Sequence, residues 1–398
     1  MELCKYIFFL LLCFPVPELF AHDTNNHHGT GPASVRQWTL ASGVTGFRGV
    51  LESYQHEYAR IRLDTGRLIR IAHHQLSQKD QAWIAERQAY LRHVNGLSAK
   101  VFYTPFEQVL SEARWDGPKL AKHFKPFSKQ LRFHWDNHYF YVESNGLPSH
   151  AMMVGIRSWQ QQIPIPQAYV GENAWMIPLH PTPAPNPIST RNKFLRGAIA
   201  LAVNGVPIFN PLNNRGDDAS LAGELDEYGG HCGKADDYHY HLPPIHLQTS
   251  IQPGNPIAYA LDGYPILGLQ TREESEASPL DWMNGHKDRK GNYHYHATLR
   301  YPYLNGGFYG RVNHRGDQVS PQPRSQPLRP AGEPLSGATI THFNRSTDGK
   351  RVSLRYKRNG ETGTMQYETD DFKTYLFRYD TGNRQPRTET YRLRPTKR

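Results

Sequence analysis

The sequence predicts a mainly β, multi-domain protein, and three observations carry that prediction. At 398 residues the chain has room for two or three domains and exceeds a single small module. Its 33 Gly and 30 Pro leave little space for long helices and favour a turn-dense architecture. Only 38% of residues are apolar, yet 12% are aromatic and 23 are Tyr, which suits many short strands and not a disordered chain.

Residues 1–21 read as an export signal, with Lys5 as the charged start, Tyr6 to Val16 as a short apolar run and Leu19-Phe20-Ala21 as the cleavage site. The mature protein would begin at His22 and be secreted or periplasmic. The apolar run is too short to span a bilayer, and no later segment approaches twenty apolar residues, so no transmembrane segment is expected. Leu12 before Cys13 does not suit a lipoprotein processing site. Cleavage also removes Cys4 and Cys13, leaves Cys232 as the sole thiol and excludes an intrachain disulfide.

Residues 36–76 carry three short alternating runs, Phe47 to Leu51, Ala59 to Leu63 and Leu68 to Ile71, the last two joined by an Asp64-Thr65-Gly66 turn. Ser77 and Asp80 then open a helix to about Tyr90 or Leu91. Trp38, Phe47-x-Gly49, the Asp64-Thr65-Gly66 turn and Leu76-Ser77-x-x-Asp80-x-x-Trp83 resemble the Sla-one homology domain. That resemblance implies a small SH3-like barrel plus helix over 36–92, serving binding or docking.

Residues 113–131, with Trp115-Asp116-Gly117-Pro118 and a Lys-rich run, are expected to be a linker. A Pro-rich stretch, 317–336, is expected to separate a last module at 338–394, where Val352 to Tyr356 and Tyr375 to Tyr379 alternate as strands. Positions 311–398 hold 18 Lys or Arg against 9 Asp or Glu, most of the chain's formal +10. On an exported protein that excess points to an anionic envelope component or polysaccharide and away from nucleic acid, although a solvated basic face would look the same.

An internal repeat decides the reading of the centre. Ile199 to Ile208 and Ile257 to Ile266 both read as a buried strand entering an Asn-Gly or Asp-Gly turn. Downstream, Leu225-Asp226-x3-Gly230-His231-x6-Tyr238-His239-Tyr240-His241 matches Leu280-Asp281-x3-Gly285-His286-x6-Tyr293-His294-Tyr295-His296 in spacing, 55 residues on.

In an extended Tyr-His-Tyr-His segment both imidazoles face one side and both phenols the other, so each segment is a preformed bidentate arm. Packing of the two copies against each other would bring His239, His241, His294 and His296 together around one cavity, with His231 and His286 arriving from preceding loops. Imidazole nitrogen suits transition metals, with zinc and copper the leading choices. Asp226 and Asp281 are placed to hold an imidazole tautomer or to ligate, and Cys232 offers a thiolate in the first copy alone. The tyrosines are expected to pack in the core. A polar network without metal, or metal-free acid/base catalysis, uses the same residues.

Asp237-Tyr238-His239-Tyr240-His241, Asn292-Tyr293-His294-Tyr295-His296, Ala260 to Ile266 and the upstream Ser144-Asn145-Gly146-Leu147-Pro148-x-His150 resemble the YHYH domain of exported bacterial proteins, over 132–312. The resemblance implies kinship and leaves activity open. The resulting expectation is transition-metal binding through the duplicated site. A metal-dependent hydrolase or oxidoreductase acting on an extracellular polymer, and an envelope adhesion or scaffold protein with a structural His network, are the alternatives.

Other motifs carry less. His56-Glu57-x-x-Arg60 lacks the second His of the zinc-protease helix. A freed His22 would offer an amine and an imidazole on one residue. Arg215-Gly216-Asp217 and Arg315-Gly316-Asp317 repeat an adhesion tripeptide that a turn also explains. His134 and His138 sit among aromatics, where packing is the default. The chain has no Gly-x-Ser-x-Gly elbow, no Cys-x-x-Cys and no phosphate-cradling glycine loop, so serine hydrolase and nucleotide chemistry are unsupported.

Overall fold

A computed structural model describes residues 36–85 and 118–393, apart from positions 56, 57, 64, 66, 272–274, 276, 383 and 384. The expected export signal, His22 and residues 86–92 of the expected barrel and helix lie outside the described residues. The described chain is mainly β, as expected.

Four strands, β1 (Arg36–Thr39), β2 (Thr45–Gln55), β3 (Tyr58–Leu63) and β4 (Leu68–Ala72), form an antiparallel meander in sequence order. Leu76 returns to bridge Leu40 beside the first strand. Helix α1 follows over 78–85, started by Ser77 as expected. Asp80 accepts from the Ser77 hydroxyl at 3.0 Å and from the Thr39 N–H at 2.9 Å, which ties the helix start to β1. Trp38, Leu51, Ile61, Leu76 and Ile84 close a small separate core, with Trp83 edge-on to Trp38 at 5.6 Å.

The expected linker at 113–131 is corrected from residue 118 onward. Helix α2 (Ala121–Phe124) buries Ala121 and Phe124 in the main core, Leu131 joins them, and His123 Nδ1 lies 2.6 Å from the Tyr259 hydroxyl. The Lys-rich surface of this segment hid an apolar pair three residues apart that faces inward. Next, β5 (Arg132–Trp135), β6 (Tyr139–Glu143) and β7 (Trp175–Pro178) make a three-stranded antiparallel sheet, and β8 (Pro183–Ser189) pairs with a strand formed much later at Gly307–Gly310.

The repeat builds one eight-stranded sheet. The first copy supplies β9 (Ala198–Ala202), β10 (Pro207–Phe209), β11 (Gly230–Cys232) and β12 (Tyr238–Tyr240), and the second supplies β13 (Ala258–Ala260), β14 (Pro265–Leu269), β15 (Gly285–Lys287) and β16 (Tyr293–Ala297). Their order, β11-β12-β10-β9-β13-β14-β16-β15, reads the same from either edge once the copies are exchanged. At the centre Ala200 lies opposite Ala260, Leu201 opposite Tyr259 and Ala202 opposite Ala258. Exchanging the copies swaps the two alanine pairs and returns Leu201–Tyr259 to itself, so a pseudo-two-fold axis passes through that pair.

Strand β17 (Gly307–Gly310) completes the pair with β8, and β18 (His314–Arg315) and β19 (Gln318–Val319) form a short hairpin. The chain ends in a five-stranded meander, β20 (Thr339–Arg345), β21 (Arg351–Arg358), β22 (Glu361–Glu368), β23 (Thr374–Asp380) and β24 (Arg387–Arg392). One face alternates into the core through Val352, Leu354, Met365, Tyr367, Tyr375 and Phe377.

The expected Pro-rich linker, 317–336, is corrected too: it is a strap bonded along its length. Asp317 accepts from Leu195 N–H at 2.9 Å, Ser325 donates to Asp237 at 2.8 Å, and Arg329 makes a two-pronged ion pair with buried Asp236 at 2.7 and 2.8 Å. The strap lays the last meander against the central domain, where the Tyr367 hydroxyl donates to Pro164 O at 3.1 Å and the Ile340 N–H to Ile156 O at 3.0 Å. One apolar core therefore runs from α2 to Phe377.

Candidate metal centres

The alternation expected of the Tyr-His-Tyr-His segments holds in both copies. Tyr238, Tyr240 and Tyr295 are fully buried and Tyr293 nearly so, while the imidazoles occupy the other face of their strands. Asp226 accepts the Tyr238 hydroxyl at 2.7 Å and the Tyr228, Gly230 and Met153 N–H groups at 2.9, 3.1 and 2.8 Å. Asp281 repeats the device with Tyr293 at 2.9 Å and the Met283 and Gly285 N–H groups at 2.8 and 3.1 Å. The two carboxylates therefore brace the tyrosines and the hairpin entry, where the sequence had placed them beside imidazoles. Burial pushes Asp226 up to about 7 against the pull of its donors.

This brace explains the Gly before each hairpin His. A Cβ on Gly230 would stand 2.4 Å from the Tyr238 hydroxyl oxygen, and one on Gly285 would stand 2.1 Å from that of Tyr293. Only the missing side chain lets the phenol cross over its neighbour strand to the carboxylate.

The expected gathering of four imidazoles around one cavity is overturned. The copies meet edge to edge through the alanine-rich β9 and β13, not face to face, and β10, β9, β13 and β14 lie between β12 and β16. The rings instead form two triads, His231 with His239 and His241, and His286 with His294 and His296. His231 and His286 are corrected from loops to strands: β11 sets His231 directly opposite His239, and β15 sets His286 opposite His294. Each triad thus takes two ligand-type rings from one strand and the third from its hairpin partner. Cys232, next to His231 on an extended strand, points to the tyrosine side and lies in the core, away from both triads. Burial pushes its thiol well above the usual range.

Within each triad the ring nitrogens are sorted. His239 Nδ1 donates to Asp237 O at 2.9 Å, His241 Nδ1 to Asn210 O, and His231 is held by the Glu224 main chain. In the second triad His296 Nδ1 donates to Gly268 O at 3.0 Å, His286 Nδ1 meets Ser278 O at 3.0 Å and its hydroxyl at 2.9 Å, and His294 is held by the Asn292 main chain. A carbonyl can only accept, so on His239, His241, His286 and His296 these contacts fix the proton on Nδ1 and leave Nε2 as a lone pair. The Nε2 atoms then face one another: His241 lies 3.1 Å from both His239 and His231, and His286 lies 3.0 Å from His294.

Lone pairs that converge at such distances repel unless a proton or a cation sits among them. Protons are disfavoured, because burial holds His231 and His239 well below the usual histidine range and takes His241 down to about 3; His294 is lowered for the same reason. Three nitrogens on a tetrahedral ion at about 2.05 Å would stand roughly 3.3 Å apart, near the 3.0–3.1 Å of the three closest pairs and inside the 4.8 Å that bounds each triad. The donor set and its carbonyl anchors fit a transition metal.

Several partners carried no sequence signal. Asn210 and Gly268 contribute main-chain carbonyls, which any residue type supplies. Phe209, whose ring stacks on His239 at 3.9 Å, looked like an ordinary strand aromatic. On the tyrosine side, His150 Nε2 lies 2.8 Å from the Tyr240 hydroxyl, and its ring stacks on Tyr228 at 3.8 Å beside His246. His150 closes the motif noted at 144–150, which hinted at it. In both Arg-Gly-Asp tripeptides the arginine is exposed and the aspartate is engaged within the fold: Asp217 accepts from Asn213 N–H and Arg215, and Asp317 from the 194–195 main chain. His134 stacks on Tyr141 at 4.5 Å, in keeping with packing.

No curated protein and no solved structure matches the chain. Residues 174–279 match the family model described as YHYH protein, a span that runs from β7 through β14 and takes in the whole first triad. The chain therefore carries a YHYH domain within its duplicated eight-stranded sheet.

Proposed function

We propose that this is an exported metal protein whose central domain binds one transition ion, zinc or copper, in each of two three-histidine sites. His231, His239 and His241 form the first, and His286, His294 and His296 the second. The observation that supports the reading most is the convergence of Nε2 lone pairs whose Nδ1 partners are already committed to carbonyls. A structural network of neutral imidazoles would alternate donor and acceptor, and these Nε2 contacts offer only acceptors.

Three protein nitrogens leave a fourth position on a tetrahedral ion, the composition of catalytic zinc, whereas structural zinc takes four protein ligands. A metal-held water there would be activated for hydrolysis, and copper would support redox chemistry, in either case on an extracellular polymer. The test is elemental analysis of untagged, extensively dialysed protein. Two equivalents of metal are expected, falling to one in His239→Gln and to none in His239→Gln/His294→Gln. Metal-free protein whose thermal stability is unchanged by zinc or copper would overturn the reading.

A docking role for the last meander rests on its outer face. Arg355, Lys357, Arg378 and Arg392 project there without an ion-pair partner among the described residues, between Ser353, Thr364, Gln366 and Thr388. Its cations and hydroxyls outnumber the two carboxylates on the same face, Glu368 and Asp380, which suits an anionic polysaccharide, and among the described residues Leu376 is the one large apolar side chain exposed on these strands for a membrane to receive. Salt-sensitive retention on an alginate or heparin matrix, lost in Arg355→Glu/Arg378→Glu, is the expected result; retention unchanged by the substitutions would exclude that face.

A further inference from the structure

We infer that the two triads divide the labour: the first holds its ion permanently, and the second exchanges its ion and accepts an outside ligand on it. This rests on the metal reading above and adds to it.

The two sites share ligands and anchors but not their surroundings. His231 and His286 are both partly buried and His241 and His296 both buried, so the difference falls on the middle ring: His239 is 3% exposed, whereas His294 is only partly buried. The Phe209 ring lies flat over His239, with 19° between the planes; the same place in the second copy, one residue beyond the matched Ile266, holds Leu267. A stacked aromatic ring keeps water off that face of the imidazole and holds the ring in its ligating orientation.

A charged latch also closes the first site. The Glu224 main chain holds His231, while the Glu224 carboxylate is gripped by Arg215 and by Asn213 at 3.2 Å. Arg215 also reaches Asp217 at 3.2 Å, and Asn213 Oδ1 accepts the N–H groups of Arg215 and Asp217 at 2.9 and 3.0 Å. The loop between β10 and β11 is thereby fastened beside His231. In the second copy Pro279 stands where Glu224 does, with no carboxylate to grip, and His286 is anchored by Ser278 instead. Release from the first site requires opening of a loop held by an ion pair; among the described residues the second loop is fastened beside His286 by one neutral bond, from Gln270 Nε2 to Ser278 O at 3.3 Å.

The test uses the full chain loaded with two equivalents of zinc and challenged with the coloured chelator pyridylazoresorcinol. Two phases of one equivalent each are expected, differing at least tenfold in rate. His294→Gln should remove the fast phase and His239→Gln the slow one. Glu224→Gln should accelerate the slow phase while leaving two equivalents bound, a result that loss of fold would not give. In copper-loaded wild type, azide should shift the absorption of one ion only. Release of both equivalents in a single phase, or loss of the fast phase in His239→Gln, overturns the division of labour and leaves the metal reading intact. Uptake of no metal overturns both.

Discussion

Gly230→Ala is the most demanding perturbation of the brace behind the first triad. The added Cβ would meet the Tyr238 hydroxyl oxygen at 2.4 Å, its ring carbon Cζ at 2.6 Å and the His239 carbonyl at 2.8 Å. Tyr238 is 1% exposed and has no free space to enter, so either the ring or strand β11 must shift. Overpacking of this kind costs about 1–3 kcal/mol. Separating the phenol from the buried Asp226 carboxyl adds about 1–3 kcal/mol, the cost of parting a buried polar pair. Roughly 2–6 kcal/mol of stability should therefore be lost in urea unfolding followed by circular dichroism, together with one equivalent of metal, because His231 is the next residue on the displaced strand. Gly285→Ala should act alike on the second triad, its Cβ falling 2.1 Å from the Tyr293 oxygen. By contrast, Gly216→Ala meets nothing within 4 Å and bears only the strain of a positive φ, about 1 kcal/mol. A Gly230→Ala protein within 1 kcal/mol of wild type and still holding two equivalents would refute the account of the brace.

Further outcomes follow from other contacts. Arg329→Met leaves Asp236 buried without its cation and should cost about 3–5 kcal/mol, with the last meander gaining protease sensitivity in limited digestion. His150 and His246 are lowered by burial to about 4 and about 3, so the unfolded chain binds more protons than the folded one below pH 6.5. Their contribution is therefore a loss of stability as pH falls from 6.5 toward those values, up to about 1.4 kcal/mol per pH unit per histidine, and none above 6.5. Thermal melts between pH 4 and 7 should show a shallower acid slope in His150→Gln/His246→Gln than in wild type. Tyr240→Phe removes the hydroxyl that faces His150 and Asn204 and should destabilise by about 1–2 kcal/mol without releasing metal, which dialysis and elemental analysis would check.

The sequence was most legible where a period governs structure. Alternation in Tyr238 to His241 and Tyr293 to His296 sufficed to assign opposite faces to phenols and imidazoles, and the 55-residue spacing revealed the duplication. The relation between the copies was not legible, because the joining pair Leu201–Tyr259 and its flanking alanines are ordinary buried-strand residues that pair edge to edge as readily as they pack face to face. Tertiary bonds without local pattern were equally hidden. Ser325 and Arg329 sit in a proline-rich run that reads as a spacer until Asp236 and Asp237 are seen beside it. The carbonyls of Asn210 and Gly268, which determine the tautomers of His241 and His296, belong to the main chain and leave no trace in residue type.

The self-matching register at Leu201–Tyr259 has an evolutionary meaning. A solitary ancestral half would expose β9 as a bare edge able to pair with the same edge of another molecule, so a homodimer of short chains is a natural forerunner of this sheet. Fusion of the two genes would make that contact permanent and release each half from having to fit its own copy. Asn204 against Asp262, and Cys232 against Lys287, are the kind of drift such freedom permits, and each half expressed alone becomes a candidate for reassembly with the other.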